Sequence, residues 1–357
     1  MQPPVNEAPT VTPVKPFKIY RVFLPVLLGL AVIVWLFLDE FDTAVFSTFR
    51  FTFAGVAFIM AAFLLIFLRD AMLVWRFRLL ADKLISWKQA FVVNILSEFT
   101  STVTPTAIGG SGLVVFFLAK EGVEAGRSTA IMLVNLFLDE LFFVVACPLL
   151  FLFVSLHDLF PPSAGIAALG YVFAGLYAMH LLWAALLYTG IFIRPDWVKK
   201  ILLLLFKLPF LRRWQHKIVD MTGNLVMASH AIKSRSVVFW IKAGMLTAVT
   251  WVARFLVVNA VFLAFIPVTS HMIIFARQII LWIFMAVMPT PGGSGMSEFV
   301  FKEYYSDVCS SGSIVLLVTL VWRFISYYLY LILGALIIPR WLQEAFAKKK
   351  KTVITNK

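Results

Sequence analysis

The sequence predicts an all-α integral membrane protein with about six full transmembrane helices and two re-entrant hairpins in an inverted-topology repeat. Four observations support this fold class. Of 357 residues, 62% are apolar and only 14% are charged. Several apolar runs approach or exceed the roughly 20 residues that cross a bilayer as a helix. A Pro-Gly motif also occurs twice, and no polar stretch is long enough to fold as a soluble catalytic domain.

The apolar segments alternate with loops of unequal charge. Lys and Arg concentrate in one set of loops, which is assigned Arg69, Arg76 and Arg78. The positive-inside rule places that set, with both termini, on the cytoplasmic side of the cell (inner) membrane. The net charge of +13 is therefore attributed to topology and not to nucleic-acid binding. The apolar segments are 21–38, 51–68, 90–104, 112–119, 129–155, 165–193, 237–265, 271–288, 296–305 and 313–338.

This charge pattern requires two pairs of segments to enter and leave on the same side. Residues 90–119 enter from the cytoplasm and residues 271–305 enter from outside, each as a re-entrant hairpin. Eight or more complete spans remain an alternative, because helix boundaries read from sequence are soft.

The chain divides into a membrane domain and two polar tails. Residues 1–18 form a Pro-rich tail that we expect to be disordered, 19–340 the polytopic membrane domain, and 341–357 a basic tail. The run Val22–Leu38 precedes acidic residues and not a cleavage site, so we interpret it as a retained signal-anchor helix. Apolar spacings of three and four predict an amphipathic helix over about 211–235, lying on the cytoplasmic face of the bilayer or packing against another subunit.

The Pro-Gly motif reads PTAIGGSG at its first occurrence and PTPGGSG at its second, with 184 residues between matched upstream positions. Each copy lies between two apolar segments and precedes a full span. The two halves, repeat 1 at about 51–155 and repeat 2 at about 237–338, therefore read as span, hairpin, span. Because charge places the hairpins on opposite sides, the repeat is interpreted as inverted, as in many secondary transporters.

The motifs predict a binding site where the two hairpin tips meet. Irregular backbone at membrane depth is tolerated where protein buries it or water reaches it. A Gly-rich turn before a helix N-terminus presents free N–H groups that attract anions, above all phosphate. We expect such turns before helices beginning near Leu113 and Met296; a turn that only allows close packing is the alternative. The candidate residues are Pro105, Gly109, Gly110, Ser111, Pro289, Pro291, Gly292, Gly293 and Ser294.

Charged side chains within apolar segments extend this candidate site. A charge at the bilayer centre is costly, so these groups are expected to pair or to line a polar cavity. Arginine suits phosphate and a carboxylate suits an amine. Across the repeat, Glu140 corresponds to Arg323. The candidates are Asp139, Glu140, Arg254, Glu298 and Arg323, with Glu98 and Arg277 also within the hairpins.

Signals of other chemistry are absent from the sequence. Neither motif has the register of a nucleophile elbow, and there is no Walker-type phosphate loop. The five histidines lack metal-site spacing, and the two cysteines do not form a disulfide framework. We expect no catalytic residue, no metal and no cofactor.

The segment MPTPGGSGMSEF, together with TPTAIGGSG followed by AKEGV, resembles the lysylphosphatidylglycerol synthase transmembrane-region family. The resemblance covers about residues 19–340. It implies a flippase-like membrane domain similar to that of the multiple peptide resistance factor, which moves aminoacylated phosphatidylglycerol to the outer leaflet. In fused members a separate soluble domain transfers lysine; that domain is missing here, so we do not expect lysyltransferase activity.

These observations predict a transporter for the headgroup of a phospholipid, such as aminoacylated phosphatidylglycerol, or of a polyprenyl phosphate. Two alternatives stay open: a membrane transferase acting on a lipid-linked substrate, and a small-anion secondary transporter. The expected partner is a membrane lipid with an anionic headgroup and not nucleic acid. A homo-oligomer and a separate lipid-modifying enzyme are further partners that the sequence leaves open.

Overall fold

The protein is described here from a computed structural model. The described residues are 52–104, 107–160, 166–205, 226, 229–288, 290, 292–309, 311–339 and 341. The regular secondary structure of these residues is helical, with no strand among them. The all-α prediction is therefore confirmed for this part of the chain.

The helices are numbered here in chain order. Their bounds are α1 Phe53–Leu80, α2 Trp87–Val103, α3 Ala107–Lys120, α4 Ala125–Leu150, α5 Leu156–Leu159, α6 Ile166–Tyr188, α7 Pro195–Leu205, α8 Val237–Phe265, α9 His271–Met285, α10 Met296–Tyr304 and α11 Gly312–Arg323. Wider π-helical turns follow α6 at Thr189–Ile193 and α11 at Phe324–Tyr328, and after the second turn the last helix continues to Pro339.

Five helices in the described part of the chain are long and apolar enough to span a membrane. They are α1, α4, α6 with its π-helical turn, α8, and the last helix over Gly312–Pro339. Each corresponds to a predicted span. The predicted signal-anchor run Val22–Leu38 lies outside the described residues.

Helix α1 is longer than its apolar segment. The sequence predicts a span over 51–68, which is confirmed. The cytoplasmic loop that it predicts to hold Arg69 and Arg76 is wrong. The helix continues to Leu80, and these two side chains are only 2% and 1% exposed. The polar residues can remain in the bundle because each arginine pairs with a carboxylate there.

The core is built around α1 and α8, which pack antiparallel. A Cβ at Gly55, near the start of α1, would lie 2.9 Å from the carbonyl oxygen of Ala264, near the end of α8. The backbones therefore approach as closely as only a glycine permits. Buried aromatic side chains of α8 and the later helices, such as Phe255, Phe262 and Phe301, complete this core.

Two helical hairpins lie beside these long helices. In the first hairpin, Gln89 near the start of α2 donates to the carbonyl oxygen of Glu121, just after α3, over 3.3 Å. In the second, Arg277 of α9 donates to the carbonyl oxygen of Tyr304, at the end of α10, over 2.9 Å. In each hairpin the first helix is therefore bonded to the end of the second helix. Their re-entrant course in a bilayer stays a prediction.

The amphipathic helix predicted over about 211–235 lies mostly outside the described residues. Residues 229–233 are helical, and Ile232 is buried in a core cluster. A shorter helix, α7, occupies part of the segment that the charge pattern assigns to a loop.

Candidate functional site

A cavity of about 380 Å³ lies at the centre of the described bundle, lined by all five long helices and by both hairpins. Its wall holds four arginines, three carboxylates and a histidine among apolar and aromatic side chains. These charged and titratable residues are Arg69, Arg76, Glu98, Asp139, Glu140, His180, Arg254 and Arg323. Of the glycines in the two motifs, Gly292 and Gly293 lie in the wall.

The tips of the two hairpins meet beside this cavity. The backbone N–H of Gly292 donates to the carbonyl oxygen of Thr104, at the end of α2, over 3.3 Å. The hydroxyl of Tyr327 donates to the neighbouring carbonyl oxygen of Thr102 over 3.3 Å. The predicted contact between the tips is therefore confirmed, and it is made by backbone groups.

The second motif forms the predicted Gly-rich turn. Gly292, Gly293 and Gly295 have φ angles of 57°, 70° and 82°, and α10 begins directly afterwards at Met296. Only glycine adopts such angles without strain. A Cβ at Gly292 would lie 2.3 Å from the Tyr327 ring, so protein already fills the space beside this residue. Close packing of the tip is thus one reason for glycine here.

The first motif folds differently from the second. Helix α3 begins at Ala107, so Gly109, Gly110 and Ser111 lie within its first turns. The expectation of a turn leading to a helix near Leu113 is wrong. Without a proline between its Pro-Thr and Gly-Gly pairs, the first copy can continue as a helix. Pro105, Pro289 and Pro291 lie outside the described residues.

Arg323 and Glu298 form a buried pair behind the second tip. Arg323 Nε donates to Glu298 Oε1 over 2.8 Å, and its Nη2 donates to the carbonyl oxygen of Gly292 over 3.3 Å. Ser297 Oγ donates to the other carboxylate oxygen of Glu298 over 2.8 Å. The side chains of Arg323 and Glu298 are 3% and 0% exposed. The expectation that these charged groups pair is confirmed for Arg323 and Glu298, and Arg323 also bonds to the tip at Gly292.

Asp139 belongs to a second hydrogen-bonded group, with Arg76. Its two oxygens accept from the Nη1 and Nη2 atoms of Arg76 over 2.7 and 3.1 Å. Trp251 Nε1 donates to the same carboxylate over 2.9 Å, and Arg76 Nη1 also donates to Thr247 Oγ1. These bonds connect α1, α4 and α8. Asp139 therefore has little acceptor capacity left for a ligand.

Arg69 is the centre of a third network, between α1, α2 and the last helix. Its Nη1 donates to Asp70 Oδ1 and to the hydroxyl of Tyr330, over 2.8 and 2.9 Å. Its Nη2 donates to Glu98, and Tyr330 donates in turn to Asp70 Oδ2. Ion pairs and hydrogen bonds therefore join Arg69 to Asp70, Glu98 and Tyr330.

Arg254 differs from these three arginines. Its nearest carboxylate atom is Glu98 Oε2, 3.9 Å from Nη1, and no hydrogen bond from its guanidinium group is found among the described residues. The group stacks on Trp282, with Cζ 4.1 Å from the ring centroid. Its side chain is 17% exposed and lines the cavity. Most of its five N–H donors are therefore open to a ligand in the cavity.

Glu140 has a titratable partner. Its Oε2 lies 2.5 Å from His180 Nδ1, and the two side chains are 17% and 7% exposed. His180 Nε2 is buried and has no partner within the described structure. Both residues line the cavity, and no hydrogen bond from an arginine to this pair is found in the described structure.

The sequence does not indicate Arg69, Arg76, Asp70 or His180 as parts of the site. For the arginines a signal exists, because residues seven apart share one face of a helix. Extending α1 by three turns would have placed both on the face of Leu73, toward the bundle.

A further ion pair lies at the base of the second hairpin, outside the spanning segments. Arg277 donates to both carboxylate oxygens of Asp307 over 2.5 and 2.7 Å. Hydrogen bonds from Arg277 keep the pKa of the Asp307 carboxyl below its ordinary value, although partial burial opposes this shift. Among the described residues there is no cluster of three or more side chains suited to a metal ion.

The comparisons with known proteins agree with the membrane fold. A family model described as the lysylphosphatidylglycerol synthase TM region matches residues 22–334. A UPF0104 membrane protein of Archaeoglobus fulgidus is 26% identical over 277 residues, covering 74% of this chain and 81% of that relative. No solved structure matches the chain. The resemblance predicted from the two motifs is confirmed: the chain belongs to the lysylphosphatidylglycerol synthase transmembrane-region family of multi-pass membrane proteins.

Proposed function

We propose that this protein is a flippase-like lipid transporter that moves an anionic, phosphate-bearing headgroup across the membrane through the central cavity. The lipid is a phospholipid, such as aminoacylated phosphatidylglycerol, or a polyprenyl phosphate. The acyl or prenyl chains stay in the bilayer, because a cavity of about 380 Å³ suits a headgroup and not a whole lipid.

The observation that carries this proposal is the open guanidinium group of Arg254. Arg69, Arg76 and Arg323 each donate hydrogen bonds to a nearby carboxylate, whereas Arg254 has a carboxylate only at 3.9 Å. A guanidinium group in a low-dielectric site is costly without a partner. A phosphate could complete its hydrogen bonds with two parallel contacts, which arginine forms better than lysine.

Trp282 and Trp251 support the same assignment. The Arg254 Cζ atom lies 4.1 and 5.6 Å from their ring centroids. Stacking on an aromatic face holds the guanidinium plane in place while leaving its N–H edge free. The group is thus positioned before a ligand arrives, which reduces the entropy lost on binding.

Both hairpins line the cavity through which we propose that the headgroup moves. We infer that they enter the membrane from opposite sides as an inverted repeat, within the inner membrane and with both termini in the cytoplasm. Ser86 precedes α2 and Ser270 precedes α9 at the matched 184-residue spacing, which supports the repeat. We further propose that the lipid is supplied by a separate lipid-modifying enzyme.

The test is a vesicle assay with a fluorescent phosphatidylglycerol and a membrane-impermeant quencher. The purified protein should accelerate loss of the inner-leaflet signal relative to empty vesicles. Arg254→Ala should remove this acceleration, and Arg254→Lys should retain part of it because the charge remains. Lys242→Ala is the matched control, since Lys242 is an exposed cation on the same helix, and should behave as wild type.

A second assay separates this function from the small-anion alternative. Vesicles loaded with radioactive phosphate should retain it equally with and without the protein. Arg254-dependent phosphate release without lipid movement would replace the lipid-transport proposal with anion transport. Lipid movement at the wild-type rate in Arg254→Ala would contradict the assigned role of this residue.

A further inference from the structure

We propose that Glu140 and His180 form a proton-binding site that takes up a proton when an anionic headgroup binds in the cavity. This inference rests on the proposed function, because it concerns the same cavity, but it assigns a second ligand, the proton. The site would make headgroup binding depend on pH.

The geometry supports a shared proton between the two side chains. Glu140 Oε2 and His180 Nδ1 lie 2.5 Å apart. A carboxylate can only accept, so with Glu140 ionised the ring must carry its proton on Nδ1. The other ring nitrogen, Nε2, then holds a lone pair that is buried without a donor. This nitrogen can accept a second proton, which would change the charge of the pair from −1 to zero.

The other charged groups of the cavity do not offer this change. Arginine keeps its proton throughout the physiological range, and Glu98 and Asp139 each accept hydrogen bonds from an arginine. Histidine is the residue type whose charge ordinarily changes between about pH 5 and 8. His180 is the histidine found in the described cavity wall. The charged groups facing the cavity from the packed helices are Arg69 and Arg76 on α1, Glu98 on α2, Asp139 on α4, Arg254 on α8 and Arg323 on α11.

The sign of the coupling follows from charge. A headgroup phosphate at Arg254 would share the cavity with the net negative charge of the ionised pair. Protonation removes that charge, so the anion and the proton each favour binding of the other, and the linkage is reciprocal. Headgroup binding should therefore draw a proton from solution, and affinity should rise as pH falls.

The test is titration calorimetry of the full-length protein in detergent with dihexanoyl-phosphatidylglycerol. This probe is a phosphodiester, whose own charge does not change between about pH 6 and 8. Wild-type affinity should increase on lowering the pH, by up to about tenfold per unit where one proton is taken up. Repeating the titration in buffers of different ionisation enthalpy counts the protons absorbed for each lipid bound.

Two variants should break the coupling in opposite directions. His180→Gln leaves Glu140 charged, so affinity should be low and independent of pH. Glu140→Gln removes the negative charge and leaves the buried imidazole without a counter-ion, so affinity should be high already at about pH 8, with little pH dependence. His230→Gln, an exposed histidine away from the cavity wall, should match wild type. Thermal unfolding of each variant checks that it is folded.

The outcomes separate this inference from the function on which it rests. Lipid binding without proton uptake, or a pH dependence that persists in both cavity variants, would overturn the coupling and leave the lipid site standing. Absence of lipid binding at every pH would overturn the coupling and the proposed function together.

Discussion

Arg254 and Arg323 line the same cavity, but their guanidinium groups are satisfied in different ways. Arg323 donates to Glu298 and to the backbone of Gly292, and its side chain is 3% exposed. Arg254 stacks on Trp282, is 17% exposed, and has a carboxylate only at 3.9 Å. An arginine of this cavity can therefore have its guanidinium group bonded to protein atoms or open to the cavity, and its partners distinguish the two cases.

The largest expected effect is that of Arg323→Ala on stability. Removing one partner of a buried ion pair leaves Glu298 charged and without compensation, at a cost of about 3–5 kcal/mol. Thermal unfolding in detergent should show a large decrease in Tm. Adding Glu298→Gln to this variant should recover part of the loss, because the stranded charge is then removed. A Tm equal to wild type for Arg323→Ala would mean that the pair is not structural.

The next effect contrasts the two Gly-rich motifs. In Gly292→Ala the new Cβ would meet the Tyr327 ring at 2.3 Å, at a φ of +57°. We expect a loss of about 1–3 kcal/mol from overpacking and backbone strain. Gly112→Ala lies in a helix with open space around the new Cβ. This change should stabilise the protein by roughly 0.5–1 kcal/mol.

Thermal unfolding of the two alanine variants checks this contrast directly. Opposite signs would confirm that the repeated motif serves two backbone conformations. Destabilisation of similar size at both positions would instead indicate that the first motif also needs a glycine turn.

A smaller effect is expected at the Arg277–Asp307 pair. Its carboxylate is less buried than that of the Arg323–Glu298 pair, because the Asp307 side chain is 37% exposed. The pKa of Asp307 is lowered in the folded protein. Its contribution to stability is therefore present above the unfolded carboxyl pKa of about 3.9 and is lost as pH falls through the lower folded value.

The variant Asp307→Asn tests this sign. Its Tm should lie below that of wild type at neutral pH, and the difference should shrink as the pH approaches the folded pKa of Asp307. A constant difference across this range would show that the carboxyl charge contributes nothing to the pair.

The sequence predicts the five described spans well because hydropathy and length are properties of each helix alone. It misses the C-terminal part of α1, because Arg69 and Arg76 resemble loop residues until their partners on other helices are known. Their partners Glu98 and Asp139 lie 29 and 63 residues away in the chain. Pairing across that distance is a property of the fold and not of a local pattern.

In the candidate site, too, the sequence predicts local properties but not the pairing of side chains. The sequence correctly indicates that Arg254 and Arg323 lie within spanning helices and line a cavity, and that the two tips meet. It does not distinguish their roles, because that depends on a 2.8 Å contact in one case and a 3.9 Å separation in the other. The two motifs also share the letters GGSG while folding differently, since the second has Pro291 before its glycines.

The most direct test of the distinction between the two arginines is thermal unfolding with and without dihexanoyl-phosphatidylglycerol. A ligand that binds the folded state raises Tm. For wild type we predict such an increase. For Arg254→Ala we predict a Tm without lipid close to that of wild type and no increase on adding lipid. An unchanged lipid-induced increase in Arg254→Ala would contradict the account, because Arg254 would then not be the residue that binds the headgroup.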